Sequence, residues 1–297
     1  MPTSKEQRFL KSAMDEQGGK TSTEEVLRWL AWRNREVVVR VSPTRLSRMT
    51  HWALEESSGR IRHSSGKFFS IDGIRVETNW GSKSEWAQPI INQPEIGFLG
   101  CIAREFNGVL HFLVQAKVEP GNVNCVQLSP TLQATKSNYT RVHQGKSPRF
   151  LEWFLDRSRS RVLLDQLQSE QGARFLHKRN RNILIEVDAE LPEDPDFVWL
   201  TLGQIKRLMA FDNVVNMDLR TVVSGIPFGQ AERLLEPASF AEAMRASATE
   251  SQRHFSPLDD IISWFTGQKT KFDLQVTPCD LRSIADWDMS DECLRHK

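Results

Sequence analysis

Two apolar runs separated by a polar pair form the clearest pattern in the chain. The runs are GFLGCIAREF and VLHFLVQAKV, and the pair between them is Asn107-Gly108. An Asn-Gly pair in this position predicts a β-hairpin with a type I′ turn, because both residues tolerate a positive φ. A two-residue turn also sets the register of the strands. We therefore expect Phe106 to face Val109, and Gly100 to face Gln115, with open space above the glycine for a ligand.

The second strand of this hairpin has one apolar face and one face that turns polar. Side chains alternate across a strand, so Gln115, Lys117 and Glu119 lie opposite a face made only of apolar residues. The following segment, residues 122–139, is rich in amide and hydroxyl groups and almost free of charge. This combination predicts one wall of a pocket for a neutral, hydroxyl-rich ligand such as a sugar. The alternative is a half-exposed strand followed by a polar surface loop.

The remaining apolar periodicity predicts a mixture of helices and strands. A capping box formed by Ser22 and Glu25 indicates a helix to about residue 34. Further helices are expected over residues 149–156 and 161–171 and from Thr201 to residue 211. Strands are expected over residues 36–41, 67–71, 74–78 and 183–188, with a helical turn over 44–49. Residues 78–94, 191–199 and 214–228 are expected to be mainly loop, the last with a short strand.

The composition argues against several classes of partner. The chain has 297 residues, of which 39 are basic and 38 acidic, so its formal charge of +1 attracts neither nucleic acid nor an anionic membrane. Its four cysteines form no C-x-x-C pair and lie near no histidine cluster, which predicts free thiols, a reducing compartment and no metal site. No apolar run approaches the ~20 residues of a membrane span, and the N-terminus lacks the apolar core of a signal peptide. We expect a cytoplasmic protein.

The C-terminal segment repeats the pattern of an N-terminal one. Residues 26–52 align without a gap to residues 261–287, and the matched pairs include Trp29 with Trp264, Pro43 with Pro278, and Trp52 with Trp287. A repeat of this length indicates a second copy of a folded module. We expect a loosely ordered N-terminus over residues 1–20, a first module over 21–235, a linker over 236–257, and the start of a truncated second module over 258–297. We call residues 258–297 the tail. We expect the tail to dock on the first module, to pair across a homodimer, or to bind a separately encoded second half of the protein.

Several segments resemble one enzyme family. The run QAKVEPGNVNCVQLSPTLQATKSNYTRVH is similar to the signature of the NDP-hexose 2,3-dehydratases of deoxysugar biosynthesis. Shorter matches occur at residues 63–76, 93–100, 175–182, 199–209 and 215–227. The resemblance implies an α/β (α+β) fold built from modules similar to the Nudix mixed-sheet sandwich. It also implies dehydration of a nucleotide-linked 4-keto-6-deoxyhexose, which we expect to be dTDP-linked. Because the C4 ketone acidifies the C3 proton, we expect the elimination to need no cofactor, and we expect the chain to form a homodimer. The Nudix hydrolase pattern for magnesium, G-x₅-E-x₇-R-E-x₂-E-E, is absent from the sequence.

The reaction that the resemblance implies indicates candidate residues, most of them in the segment over residues 115–143. Removal of a C3 proton and loss of the C2 hydroxyl require a base, donors for the enolate oxygen, and an acid. Tyr139 is the first candidate for acid/base work, Lys117 and Glu119 are candidates for the second partner, and His143 is a weaker one. Candidate binding residues for the sugar or nucleotide are Gln115, Asn122, Gln127, Ser129, Thr131, Gln133, Asn138, Arg141 and Trp86. Trp86 could stack on a nucleobase, with packing as its alternative role.

Alternative interpretations remain for a locally basic region and for the function of the chain. A locally basic region could contact a diphosphate, or could be a solvated helix face; its members are Arg157, Arg159, Arg161, Lys178, Arg179 and Arg181. His111 is expected to be structural.

The competing function is a non-catalytic nucleotide-sugar-binding or partner protein that remains from a truncated dehydratase.

Overall fold

The computed structural model describes residues 4–18, 20–135, 147–228, 258–290 and 292–297. It is a mixed α+β structure, as expected, and the chain divides into two compact units. Unit 1 comprises residues 1–41, 97–168 and 180–251, and unit 2 comprises residues 42–96, 169–179 and 252–297. Each unit is therefore assembled from three separate segments of the chain. The predicted linker over residues 236–257 lies outside the described residues.

Unit 1 contains a seven-stranded mixed sheet. Its strands are β5 (Gly97–Phe106), β6 (Val109–Val118), β7 (Val126–Pro130), β8 (Leu132–Ala134), β9 (Arg161–Ser169), β10 (Arg179–Glu186) and β11 (Phe197–Thr201). The strand order is β11-β6-β5-β10-β9, with β7 paired to β6 and β8 paired to β5. Strand β10 runs parallel to β5, whereas β6, β7, β8 and β11 pair with their neighbours in antiparallel orientation.

The hairpin prediction is confirmed at the turn. Asn107 and Gly108 have φ values of 51° and 74°, and Phe106 pairs with Val109. The predicted pairing of Gly100 with Gln115 is wrong. The ladder between β5 and β6 ends at Ile102 and Leu113; beyond that point Gly100 pairs with Leu132 and Gln115 with Ser129.

The predicted open space above Gly100 is also absent. A β-carbon placed on this glycine would overlap the ring of Phe154. Glycine here allows the buried aromatic ring to pack directly on the strand.

Both faces of this sheet are covered by apolar side chains. One face packs on α1 (Lys5–Met14), α2 (Thr23–Glu36), α4 (Leu202–Leu208) and α5 (Met217–Ser224). The other face packs on the short helix α3 (Leu151–Leu155), whose Trp153 and Phe154 are buried. Residues 5–14 were expected to be loosely ordered, but they form α1, and the side chain of Phe9 in that helix is fully buried.

Local capping signals are confirmed where the sequence offers them. The Ser22 hydroxyl accepts from the Glu25 amide at 3.3 Å, and the Glu25 carboxylate accepts from the Ser22 amide at 2.8 Å. Thr201 and Gln204 form the same reciprocal pair at the start of α4. These caps satisfy backbone amides that have no partner within their helices.

Four further local predictions in unit 1 are wrong. Residues 197–199, expected to be loop, belong to strand β11. Residues 161–171 were expected to be helical but supply strand β9, because their backbone pairs with β10. Residues 37–41, expected within a strand, lie outside the strands of the structure, and Val38 is 75% exposed. Within residues 214–228 the structure has helix α5, which Asn216 caps by accepting from the amide of Leu219 at 2.9 Å.

Unit 2 contains a five-stranded sheet. Its strands are β1 (Trp52–Glu55), β2 (Arg60–His63), β3 (Ser70–Thr78), β4 (Glu85–Asn92) and β12 (Leu274–Cys279), in the order β1-β2-β3-β12 with β4 also paired to β3. Residues 67–71 and 74–78 were expected to be two strands joined by a turn at Asp72-Gly73, which is wrong, because β3 continues through these two residues. Gly73 lies against the carbonyl of Cys279, where a side chain would not fit. Residues 78–94, expected to be a loop, contain β4.

The C-terminal tail, residues 258–297, forms a helix, three strands and a 3₁₀ turn. Helix α6 spans Leu258–Lys271, strand β12 follows, a 3₁₀ turn covers Leu281–Ser283, and a second hairpin joins β13 (Trp287–Met289) to β14 (Leu294–His296). Another 3₁₀ turn, Leu46–Arg48, precedes β1. Strand β12 pairs with β3 in antiparallel orientation, and the predicted division into modules stays a prediction. The rings of Trp287 and His296 lie 5.5 Å apart, as do those of Trp52 and His63.

Two sequence expectations concern the chain as a whole. The four cysteines are free thiols, as predicted. Among the described residues, no helix has both the length and the apolar character needed to cross a membrane.

Candidate active site

A polar wall lies at the end of β6 where this strand pairs with β7. Gln115 pairs with Ser129, and Lys117 pairs with Gln127. Side chains of directly opposed residues in an antiparallel ladder lie on the same face. The fold therefore brings four of the predicted site residues together on one face of the unit 1 sheet. We call this group, with Glu119 at the end of the strand, the polar wall.

The carboxylate of Glu119 is held by a chain of two amide side chains. The amide nitrogen of Gln133 donates to Glu119 Oε1 at 2.8 Å. The amide nitrogen of Asn216 in turn donates to Gln133 Oε1 at 3.2 Å, while its oxygen caps helix α5. Asn216 is 6% exposed, so this series of hydrogen bonds ends at a buried helix N-terminus. Because its partner amides are held in place, the Glu119 carboxylate has a defined orientation, which acid/base catalysis requires.

Asn216 was missed by the sequence prediction. An asparagine followed by Met-Asp-Leu-Arg is a reasonable N-cap signal, but these residues were expected to form a strand and a loop. Without the helix, nothing in the sequence indicates that Asn216 and Gln133 are neighbours.

Near Glu119, the side chain of Asn122 has a hydrogen-bond donor without a partner among the described residues. Its backbone amide donates to the carbonyl of Glu119 at 3.1 Å, which closes the turn after β6. Its side-chain nitrogen is buried and has no hydrogen-bond partner among the described residues. A buried donor of this kind costs free energy unless a partner binds it. Asn122 is therefore well suited to donate to a ligand oxygen.

Gln127 belongs to a short amide chain of its own. Its side-chain nitrogen donates to Asn124 Oδ1 at 2.9 Å, and the nitrogen of Asn124 donates to the carbonyl of Asn213 at 3.0 Å. The carboxamide of Gln127 is thereby oriented across from Lys117.

Two predicted binding residues are engaged by the backbone instead. The Thr131 hydroxyl accepts from the amide of Ile102 at 3.0 Å and donates to the carbonyl of Leu113, at the point where β5 and β6 separate. Thr131 is 2% exposed, so its hydroxyl holds the sheet together and faces no ligand. Ser129 is fully buried, and its hydroxyl donates to the carbonyl of Pro130 at 3.1 Å.

The other predicted site residues lie elsewhere or outside the described part of the chain. Trp86 is on β4 in unit 2, where its indole nitrogen donates to Gln88. Tyr139, Asn138, Arg141 and His143 fall within residues 136–146, which the structure does not describe. His111 has the structural environment expected for it, because burial lowers its pKa and Phe106 packs edge-on against its ring.

Most of the basic region is occupied by structural contacts. Arg181 and Arg157 both pair with Asp165, and the hydrogen bond from Arg181 is the main cause of the lowered pKa of that carboxyl. Arg161 pairs with the buried Glu186. Arg159 stacks on Trp153, with its guanidinium 4.1 Å from the ring centroid. These four arginines thus stabilise strands β9 and β10 and helix α3.

No metal-binding cluster is evident in the described ranges. Within residues 4–135, 147–228 and 258–297, excluding residues 19 and 291, no three His, Cys, Asp or Glu side chains come together in a way that could hold an ion.

The sequence belongs to a known class of protein. Residues 23–226 match the family model described as NDP-hexose 2,3-dehydratase, and the chain belongs to this family. It is 44% identical over 293 residues to a protein of Saccharopolyspora spinosa named dTDP-4-dehydro-6-deoxy-alpha-D-glucopyranose 2,3-dehydratase, covering 98% of this chain and 60% of that protein. A protein of the same name from Amycolatopsis orientalis is 39% identical over 295 residues, covering 98% of this chain and 59% of that protein. The chain thus spans about three fifths of the length of the curated relatives it matches.

A comparison with solved structures gives a weaker likeness. A structure titled as an ADP compounds hydrolase aligns with 72% of this chain and 98% of its own, at 8% identity and a TM-score of 0.35. A score this low carries no argument, so the Nudix-like sandwich stays a prediction from sequence resemblance.

Proposed function

We propose that this chain takes part in the 2,3-dehydration of a dTDP-linked 4-keto-6-deoxyhexose in deoxysugar biosynthesis. The observation that carries the proposal is the match over 98% of the chain, at 44% identity, to a protein named for this reaction. The polar wall supports it, because neutral amides beside a carboxylate and an ammonium group suit a hydroxyl-rich ligand that must lose a proton.

The reaction needs two proton transfers and no change of oxidation state overall. The C4 ketone acidifies the C3 proton, so a base can remove it while hydrogen-bond donors stabilise the enolate oxygen. The electron pair then forms the C2–C3 double bond and expels the C2 hydroxyl, which an acid protonates to water. The resulting enol tautomerises to a 3,4-diketone. The products are therefore this diketone and one water molecule.

The polar wall has suitable groups for these roles. Glu119 is the proposed base, because Gln133 holds its carboxylate in one orientation. Lys117 lies on the wall beside Gln127 and is the proposed donor to the enolate oxygen or the leaving hydroxyl. Asn122 and Gln115 are the proposed ligands for sugar hydroxyls. Tyr139 stays an alternative acid or base.

A second candidate is a non-catalytic sugar-nucleotide-binding protein. It is favoured by one observation, that the buried side-chain nitrogen of Asn122 has no hydrogen-bond partner among the described residues and is free to bind a ligand oxygen without catalysis. The two candidates differ in turnover and not in binding.

Incubation of the purified chain with the dTDP-4-keto-6-deoxyhexose distinguishes them. Mass spectrometry should detect a product lighter by one water. Saturable binding without this product would establish the binding protein and refute the enzyme.

Substitutions test the assignment of the base. Glu119→Gln should lower kcat by about 10²–10⁴-fold, the usual contribution of a general base, while the dissociation constant of the substrate changes little. Glu24→Gln, on the exposed face of α2, is the matched control and should leave kcat unchanged. Lys117→Met and Tyr139→Phe are measured in parallel. If Glu119→Gln retains more than about a fifth of the activity, Glu119 is not the base.

The homodimer and the cytoplasmic location also stay predictions. Light scattering on the purified chain measures the first, and cell fractionation measures the second.

A further inference from the structure

The residues that precede helix α5 lie along one edge of strand β7. We call residues 213–216 the connector. The amide of Leu128 in β7 donates to the carbonyl of Val214 at 2.8 Å, and the amide of Asn216 donates to the carbonyl of Leu128 at 2.9 Å. The other edge of β7 forms the ladder with β6. The connector is therefore held beside β7 by backbone bonds, in the manner of a short parallel strand.

Further contacts fix the conformation of the connector. Asn213 has a φ of 60°, in the left-handed region that asparagine tolerates better than most residues. The guanidinium of Arg220 donates to the carbonyl of Val215 at 3.1 Å and to the carbonyl of Met209 at 2.9 Å. Arg220 thus joins the end of α4 to the start of α5. Val215 is 4% exposed, so the middle of the connector is anchored in the core.

The first residue of the connector holds one amide series of the polar wall. The carbonyl of Asn213 accepts from Asn124 Nδ2 at 3.0 Å. Because this bond fixes the nitrogen of the planar Asn124 carboxamide, it also fixes the oxygen of the same group. That oxygen accepts from Gln127 Nε2 at 2.9 Å. The orientation of Gln127 therefore depends on where the backbone of Asn213 lies.

The last residue of the connector holds the other amide series. Asn216 Oδ1 accepts from the amide of Leu219 at 2.9 Å, which leaves Asn216 Nδ2 as the donor to Gln133 Oε1 at 3.2 Å. A carboxamide has donors on its nitrogen and acceptors on its oxygen. Gln133 therefore presents its nitrogen, and not its oxygen, to the carboxylate of Glu119. The cap of α5 thus determines which atom of Gln133 faces Glu119.

We propose that Asn216 is a positioning residue for Glu119 and that the connector sets the geometry of the polar wall. Asn216 acts through Gln133 on the carboxylate, and Asn213 acts through Asn124 on Gln127. A carboxylate that is free to rotate spends less time in the geometry that proton transfer requires. The effect on catalysis rests on the proposed function of Glu119 as the base, whereas the positioning itself does not.

Asn216→Asp in the full chain separates positioning from capping. Aspartate caps a helix as well as asparagine does, but its second oxygen replaces the donor to Gln133. Gln133 then loses the partner that fixes its orientation. We expect kcat to fall by about tenfold, the factor of one hydrogen bond to a charged group, and KM to change by less than about twofold. The urea midpoint should stay that of the parent, because the cap of α5 is kept.

Two further variants control for charge and for folding. Ser4→Asp places the same charge at the N-cap of α1, where the Ser4 hydroxyl accepts from the amide of Gln7 at 3.2 Å, and should leave kcat and KM unchanged. Asn216→Ser keeps a capping oxygen without adding a charge, and should lower kcat by a factor similar to that of Asn216→Asp. It also keeps the test informative if Asn216→Asp does not fold.

The other amide series predicts a different kinetic change. Asn124→Asp keeps the oxygen that accepts from Gln127 but loses the donor to the carbonyl of Asn213. Gln127 is a candidate binding residue, so we expect KM to rise by about fivefold and kcat to change by less than about twofold. A general loss of folded protein would instead lower the apparent kcat in both variants and leave KM unchanged.

The side-chain amide signals of Gln133 in ¹⁵N NMR spectra provide a measurement that needs no turnover. Asn216→Asp should move these signals, and Ser4→Asp should not. Unmoved signals in Asn216→Asp, a kcat within about twofold of the parent, or an equal loss of kcat in Ser4→Asp would overturn the proposal. Moved signals in a chain without turnover support the positioning and count against the proposed function. Turnover by the parent with unmoved signals has the opposite meaning.

Discussion

Replacing Thr131 with valine tests whether this residue holds the sheet or binds a ligand. Valine has nearly the same shape but lacks the hydroxyl that joins the Ile102 amide to the Leu113 carbonyl. Both backbone groups would then lose this partner inside a buried sheet. A ligand-binding threonine, in contrast, would affect substrate affinity and leave folding unchanged.

The expected magnitude follows from those two groups. Each buried polar group left without a partner costs about 1–3 kcal/mol, so the two groups together should make Thr131→Val lower the free energy of unfolding by about 2–6 kcal/mol. Thr131→Ser keeps the hydroxyl and removes one methyl group, so it should cost only about 1 kcal/mol. The difference between the two variants isolates the hydroxyl.

Urea denaturation followed by circular dichroism measures both variants beside the parent. With a slope of about 2–3 kcal/mol/M, Thr131→Val should lower the midpoint by about 1–2 M. Substrate titration of the folded variants is made in parallel. A midpoint for Thr131→Val within the error of Thr131→Ser, combined with a large loss of substrate affinity, would refute the structural role and restore Thr131 as a binding residue.

Three further substitutions have defined outcomes. Gly100→Ala should lower the urea midpoint by an amount equivalent to about 1–3 kcal/mol, because the new methyl group overlaps Phe154, whereas Gly121→Ala, with open space around it, should not. Gly108→Val should cost about 1–3 kcal/mol, since valine resists the φ of 74° found there; a stable Gly108→Val variant would argue against the type I′ turn. Burial opposes ionisation of Glu186, but hydrogen bonds from two arginines outweigh it and lower its pKa from the usual 4.5. Its stabilising effect is therefore present above that pH and is lost as the pH falls through the lower folded value, so the parent should lose more stability than Glu186→Gln between about pH 7 and about pH 3, measured by urea midpoints.

Part of the fold was predictable because the signals were local. The Asn107-Gly108 turn and the Ser22 cap each depend on residues within four positions of one another, and both are confirmed. The alternation along β6 also separated its apolar face from Gln115 and Lys117 correctly, apart from the exposed Val118.

The errors occurred where a local pattern suited two structures. The spacing of the leucines in residues 161–169 is compatible with a helix as well as with a strand. These residues form a strand because their backbone pairs with β10. Asp72-Gly73 has the composition of a turn, yet β3 continues through it because β12 and β4 pair along both of its edges.

The candidate site shows the same division. Lys117 and Gln127 were each identified from composition, but only the ladder between β6 and β7 places them opposite one another. The support of Glu119 by Gln133 and Asn216 joins residues that are far apart in the chain. No spacing rule in a sequence encodes such a contact.

The sequence by itself determined the turn, the helix caps, the apolar and polar faces of β6, and the resemblance to a dehydratase family. Each of these depends on backbone preference or side-chain alternation within a short segment. The tertiary structure alone decided that Thr131 joins β5 to β6 and that the Gly100 space is filled by Phe154. It also decided that Trp86 lines a cavity in unit 2. These outcomes depend on which distant segments become neighbours, because every buried amide and carbonyl must find a partner and every buried volume must be filled.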